Sequence, residues 1–279
     1  MTLIQPVRRS RSPFIRKCGM RQALVRLLIA IIAFASVSCR PSVESDAGPS
    51  TELVVAAAAN LTDAFQEMAA QFTAETDIRI IYNFGATTQL MQQIEHGAPF
   101  DVFAAADTIH IDQLVESGKV LATSRAVYAR GQLALWIPEP ERTGVENLAD
   151  LQKLSVRYIA IANPEIAPYG EAAVEVLKRS DLWSSLESKI VRAENVNTAK
   201  QLAATGNADA VITAYSLLLD VPGRVIQIDP EKYTPIDQAL GIDVSSSDIA
   251  SAKRFTEFVL GPQGRAILTQ FGYLLPALP

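Results

Sequence analysis

Four short segments place small or polar residues where an apolar run gives way to an amphipathic one, and the chemistry they offer is hydrogen-bond donation to an anion. Asn60 follows VVAAAA; Gly85-Ala86-Thr87-Thr88 follows Ile80 to Phe84; Pro168-Tyr169-Gly170 follows a strand expected to end at Ala162; Asn195-Val196-Asn197-Thr198 follows a fourth apolar stretch. Asn and Thr are preferred caps, Pro suits a first helical position, and Gly85 offers backbone freedom. Each residue taken alone can simply cap its own helix. Taken together, four helix starts present first-turn N–H groups that have no partner inside the helix and carry partial positive charge. Tyr215, in DAVITAYS at the end of an apolar run, reads either as a fifth, neutral donor or as a rim residue with its hydroxyl in water.

Other chemistries lack their residues. The patterns H-E-x-x-H, G-x-S-x-G, G-x-x-x-x-G-K and G-x-G-x-x-G do not occur, which removes the common metalloprotease, hydrolase and nucleotide-binding signals. His96 and His110 are the only histidines and fall at polar helix ends, where solvated positions are expected. Asp101 and Asp107 flank VFAAA and read as caps or salt links, since no third ligand stands near them. The only cysteines are Cys18 and Cys39, so the body after Cys39 has no disulfide, zinc-thiolate site or cysteine nucleophile of its own. No catalytic residue, no resident cofactor and no direct metal-ligand residue is expected.

The elements that must position these residues follow from periodicity. Leu53–Ala58 reads as strand, 61–74 as helix, 78–83 as strand, 88–96 as helix and 102–105 as strand. The scheme repeats with strands at 132–137, 158–162, 189–192 and 210–213 and helices at 170–179 and 198–204, and ends with a strand at 238–244 and helices at 249–260 and 262–271. Short apolar strands alternating with helices indicate an α/β fold of mostly parallel sheets flanked by helices. Two such sets suggest two lobes with a ligand cleft between them: 52–130 plus 232–279, and 131–231. The chain is expected to cross between them near Ala129–Gly131 and again near Tyr233–Pro235.

The 279 residues are 49% hydrophobic, with 25 Lys and Arg against 30 Asp and Glu. Seven of the basic residues and no acidic ones precede Cys39, so the remainder holds 18 basic and 30 acidic residues, a balance of −12. A body this acidic argues against nucleic-acid binding, which needs clustered Lys and Arg. Residues 1–39 read as a secretory signal: positive charge at Arg21 and Arg26, an apolar run over Leu27–Val37, then Ser36-Val37-Ser38-Cys39. Met20 offers an alternative start, and Arg8-Arg9 a twin-arginine export route. The ending is that of a bacterial lipobox, apart from Ser36 where Leu is usual, and makes Cys39 a candidate for lipidation. Residues 40–51 (RPSVESDAGPST) form a flexible linker.

The order LVVAAAANLTDAF, IIYNFGATTQLMQQIEHGAPFDVFAAAD, IANPEIAPYGEAAVEVL, AENVNTAKQLA, VITAYS and FVLGPQGRAILTQFGY resembles the periplasmic molybdate-binding proteins of bacterial ABC importers over essentially all of 52–273. The resemblance implies a periplasmic-binding-protein fold, with molybdate or tungstate held between lobes by neutral donors at helix starts, and delivery to a membrane permease with its ATPase subunit. It points to Asn60, Thr87, Tyr169, Val196 and Tyr215 as ligand-binding residues, with Tyr169 and Val196 acting mainly through backbone N–H. A periplasmic monomer, attached to the membrane only through a lipid on Cys39, is expected. Left open are a receptor for sulfate, thiosulfate or phosphate, and an enzyme on the same two-lobed fold.

Overall fold

A computed structural model describes residues 51–276; the signal segment, Cys39 and nearly all of the linker lie outside the described residues. The first part of the chain contributes β1 (Thr51–Ala58), α1 (Thr62–Thr76), β2 (Ile78–Gly85), α2 (Thr87–Glu95), β3 (Val102–Ala104), α3 (Ile109–Glu116) and β4 (Ala126–Gly131). The middle contributes β5 (Leu133–Ile137), α4 (Pro140–Thr143), β6 (Ile159–Ala162), α5 (Pro168–Arg179), α6 (Trp183–Leu186), β7 (Ile190–Ala193), α7 (Val196–Ala204), β8 (Ala210–Ala214) and β9 (Arg224–Gln227). The chain then returns with β10 (Ile236–Ile242), α8 (Ile249–Leu260) and α9 (Pro262–Gln270).

The strands form two five-stranded sheets, ordered β2-β1-β3-β10-β4 and β7-β6-β8-β5-β9. In each, three neighbouring strands are parallel and the remaining two pairings are antiparallel. The mixed character comes from β10 in the first sheet and β5 in the second, each of which runs against both of its neighbours. Two strands escape the periodicity reading, β4 (AVYARG) and β9 (RVIQ). Both are short edge strands interrupted by polar residues, Arg130 in β4 and Arg224 and Gln227 in β9, so neither carries a long apolar run.

Central strands are apolar on both faces because helices cover both. Leu53, Val55 and Ala57 of β1 enter one large cluster that runs through both sheets, whereas Ala56 faces a second cluster with Leu90, Ile94, Phe103 and Leu114. The second sheet repeats this: Ala210 and Ile212 of β8 face the shared cluster, and Val211 faces Trp136, Ala199 and Ala203. The alternation is the two-residue period of an extended strand. Edge strand β2 instead alternates buried or half-buried with exposed residues over most of its length. Aromatic edges lock α1 to α8, with Phe72 and Phe255 rings 5.3 Å apart at 77°, a geometry worth about 0.5–1.5 kcal/mol beyond the area buried.

One buried carboxylate anchors the second sheet. Asp209, beside the start of β8 and 2% exposed, accepts the N–H groups of Arg157 (2.6 Å) and Tyr158 (3.0 Å) and a guanidinium N–H of Arg142 (2.6 Å). Burial alone raises its pKa, but the bonds from Tyr158, Arg142 and Arg157 outweigh burial and hold the carboxyl below its ordinary value. A depressed folded pKa contributes stability that is present above the unfolded value near 4 and is lost as pH falls through the lower folded value. Asp209→Asn should therefore lose about 1.5–3 kcal/mol in urea unfolding at neutral pH. It should also show a shallower acid loss than the wild type; identical acid limbs would contradict this role for the carboxylate.

Candidate functional site

The carboxyl ends of β1, β2, β6 and β7 are each followed by a helix start, and residues of those four starts line one small common space. Its walls include Asn60, Gly85, Thr87, Tyr169, Asn195 and Val196, with Ala58, Ala59, Ala86, Ala106, Ala167 and Pro168 between them. No lining residue carries a charge. Ligands of open α/β sheets bind at such carboxyl ends, facing helix N-termini. Thr87 and Val196 are the first residues of α2 and α7 and Tyr169 the second of α5, so their N–H groups have no partner within the helix.

The local chemistry differs from residue to residue. Thr87 is 1% exposed and its Oγ1 accepts the Ala106 N–H at 3.1 Å, which leaves the hydroxyl proton to be donated elsewhere. Gly85 closes β2 without a left-handed conformation; its role is room, since a Cβ there would press on Leu90 at 3.3 Å. Asn195 caps α7 by accepting the Thr198 N–H at 3.0 Å. Asn60 does not act as a cap. Its Nδ2 donates to Gln238 Oε1 (3.0 Å) and Tyr273 Oη (2.9 Å), so its side chain braces the turn. Tyr169 likewise turns its phenol away, accepting from Gln238 Nε2 at 2.9 Å.

The structure does not bring Tyr215 into this lining. It opens the turn after β8, where its N–H donates to the Gln132 carbonyl, and its ring lies so close to Gly272 that a Cβ there would come within 2.7 Å. The turn directs the next residue inward instead: Ser216 Oγ donates to the Asn60 carbonyl at 2.9 Å. Behind the lining lies a buried polar group that motif reading missed, comprising Tyr128, Ser216, Gln238 and Tyr273. The available signal was a glutamine inside the apolar strand β10. Burial pushes the hydroxyls of Tyr128, Tyr169 and Tyr273 above the usual tyrosine range, so the group is neutral.

Segments that follow strands of different sheets touch directly around the space. Asn197 Nδ2 donates to Thr62 Oγ1 (2.8 Å) and to the Ala59 carbonyl (3.2 Å), and the Thr88 N–H donates to the Ile166 carbonyl (3.2 Å). His110 is not a solvated residue. Its Nε2 lies 2.8 Å from Thr88 Oγ1 and its Nδ1 2.7 Å from Asp107 Oδ2, a chain that fastens the start of α2 to that of α3, whereas His96 is exposed. Asp101 is a structural acceptor for the Val54 N–H and the Ser246 hydroxyl. Among the described residues no cluster of His, Cys, Asp and Glu could hold a metal ion.

Residues 53–274 match the family of bacterial extracellular solute-binding proteins. The chain belongs to that family. It is similar to the molybdate-binding protein ModA of Rhodobacter capsulatus, 35% identical over 80% of this chain and 88% of the relative. ModA of Azotobacter vinelandii is 34% identical over 91% of this chain and 99% of the relative. The solved Azotobacter vinelandii periplasmic molybdate-binding protein superposes with a TM-score of 0.77 and 33% identity, covering 81% of this chain and all of that one. These relatives are binding proteins, and this solute-binding protein is a binder rather than an enzyme.

The direct contacts around the space give a first test. Asn197→Ala removes both bonds from the α7 start to the β1–α1 turn while leaving the Asn195 cap in place. Two neutral hydrogen bonds at roughly 0.5–1.5 kcal/mol each should raise solute release about tenfold in stopped-flow experiments, with little effect on capture. An unchanged release rate would show that these contacts do not retain the solute.

Proposed function

We propose that this solute-binding protein is the molybdate receptor of an ABC importer, binding molybdate and tungstate alike in the space among the four helix starts. The observation that carries this reading is a lining with no charged side chain; an oxyanion there would be held by the N–H groups of Asn60, Thr87, Tyr169 and Val196 and the hydroxyl of Thr87. The similarity to proteins named for molybdate supports the same solute. The lobes on either side would be 52–130 with 232–279, and 131–231; the pairing of β10 with β3 and β4, back in the first sheet, supports that division. Tyr215 is left out of the ligand set in this arrangement.

A dianion held without Lys or Arg depends on helix-end dipoles and on hydrogen bonds to a charged acceptor, each worth about 1.5–3 kcal/mol. Donors fixed at helix starts do not contract onto a smaller ion, so sulfate leaves some of them without a close acceptor at roughly 1–3 kcal/mol each. Calorimetric titration should show molybdate and tungstate binding about equally, and sulfate weaker by about 30-fold or more. Thr87→Ala should lower molybdate affinity by about 10- to 100-fold in a folded protein. Sulfate binding as tightly as molybdate, or a neutral Thr87→Ala, would mean the wrong solute or the wrong cleft.

In this reading the receptor works in the periplasm as a monomer, tethered by a lipid on Cys39 and handing its solute to a permease driven by an ATPase subunit. No helix among the described residues is long and apolar enough to cross a membrane. The support for tethering is the order of basic segment, apolar run, small residues, cysteine and polar linker in the sequence. A single acyl chain binds membranes only marginally, so stable tethering requires several chains on the mature N-terminus. Mass spectrometry of the native protein should find an acylated N-terminal Cys39, and an unmodified terminus beyond residue 39 would exclude the anchor.

A further inference from the structure

Gln238 lies in β10 with no exposed surface, at the point where the register of β10 against β4 shifts between Gln238 and Ala239. A buried primary amide is costly unless both of its ends are bonded. Here both are. Its Oε1 accepts Asn60 Nδ2 at 3.0 Å and lies 2.9 Å from Tyr128 Oη, whose proton is also within reach of the Ala105 carbonyl at 2.8 Å. Its Nε2 donates to Tyr169 Oη at 2.9 Å. Asn60 belongs to the turn after β1 in the first sheet, and Tyr169 to the helix start that follows β6 in the second.

The backbone around this amide is cut to fit it. Gly131 ends β4, next to the passage into the second sheet, and a Cβ there would overlap the Tyr169 hydroxyl and lie 2.6 Å from Gln238 Nε2. Glycine is thus needed at 131 for room, so that the phenol of Tyr169 can reach across to β10. Side chains of similar size replace the amide poorly: an ionised Glu would reverse the bond to Tyr169 and bury a charge among neutral groups, and Met has neither donor nor strong acceptor.

We infer that Gln238 is a positioning residue for solute binding, which sets the Asn60 turn of one sheet against the Tyr169 helix start of the other through a single amide. This rests on the reading of the space between those turns as the molybdate site. Gln238 itself does not line that space. It acts through the two residues that do, so that neither turn can shift relative to the other without breaking a buried bond.

The test is molybdate binding to the wild type, Gln238→Met, Tyr169→Phe and the double variant, measured by calorimetry and stopped-flow release. Tyr169→Phe keeps the ring in its packing and loses only the hydroxyl, so it carries the test if Gln238→Met fails to fold. Tyr169→Phe should release molybdate about tenfold faster, the loss expected for one buried hydrogen bond, and Gln238→Met, which breaks the bonds to Asn60, Tyr128 and Tyr169, at least as fast, with capture unchanged in both. The double variant should be no worse than the weaker single one, because both break the same link. A purely structural amide would lower the melting temperature and leave the release rate alone. An unchanged release rate in Tyr169→Phe, or fully additive effects in the double variant, overturns the inference while leaving the molybdate reading intact. A wild type that binds sulfate or phosphate but not molybdate overturns both.

Discussion

The constraint on which the rest of the structure depends is that four helix N-termini meet at one uncharged space. A helix start can offer its first N–H groups to a solute only if something else fixes its direction, since those groups have no partners within the helix. The strands supply that direction. β1, β2, β6 and β7 all run toward the space, so each helix that follows a carboxyl end begins there. Helices covering both faces of each sheet keep the strands dry, which is why central strands are apolar over most of their length, as in Leu53–Ala58 of β1 and Ala210–Ile212 of β8.

Holding that arrangement needs connections of two kinds, and both are present. Within each sheet the parallel ladder sets neighbouring turns at the same level, as with Ala58 opposite Gly85 and Ala162 opposite Ala193. Between sheets the joining is polar and specific: Asn197 to the β1–α1 turn, Thr88 to Ile166, Ser216 to Asn60, and Gln238 to both Asn60 and Tyr169. The shared apolar cluster contributes most of the free energy but no direction. Directional bonds among neutral groups supply the geometry without adding charge near the space, and burial keeps the tyrosine hydroxyls protonated as part of them.

The same logic explains why several polar residues mean something other than their local sequence suggests. Asn60 stands in a capping position and braces the buried polar group of Gln238 and Tyr273 instead. His110 sits at a polar helix start yet forms a chain with Asp107 and Thr88. Tyr215 ends an apolar strand as expected for a cleft donor, but the turn that follows carries Ser216 inward and leaves the tyrosine against Gly272. In each case at least one deciding partner (Tyr273 for Asn60, Thr88 for His110, Gly272 for Tyr215) lies outside the local sequence, and no local pattern reports a partner of that kind.

What the sequence by itself determined is what depends on near neighbours: the apolar strands, the amphipathic helices, the small and polar residues at their junctions, and the absence of thiols and catalytic motifs after Cys39. Short-range periodicity and capping preference act within a few residues, so the four strand-to-helix turns that hold Asn60, Thr87, Tyr169 and Val196 are legible in the sequence, whereas those particular residues are singled out by the family resemblance. Tertiary structure alone decided which face each of those residues shows. It also decided that Thr87 keeps a free hydroxyl proton because Ala106 occupies its oxygen, that β4 and β9 are strands, and that a glutamine in β10 joins turns 178 and 69 residues away. The reason is that a buried amide or hydroxyl takes its direction from whichever partner the folded chain brings within about 3 Å, and such partners are fixed by sheet order and chain crossing rather than by the residues beside them.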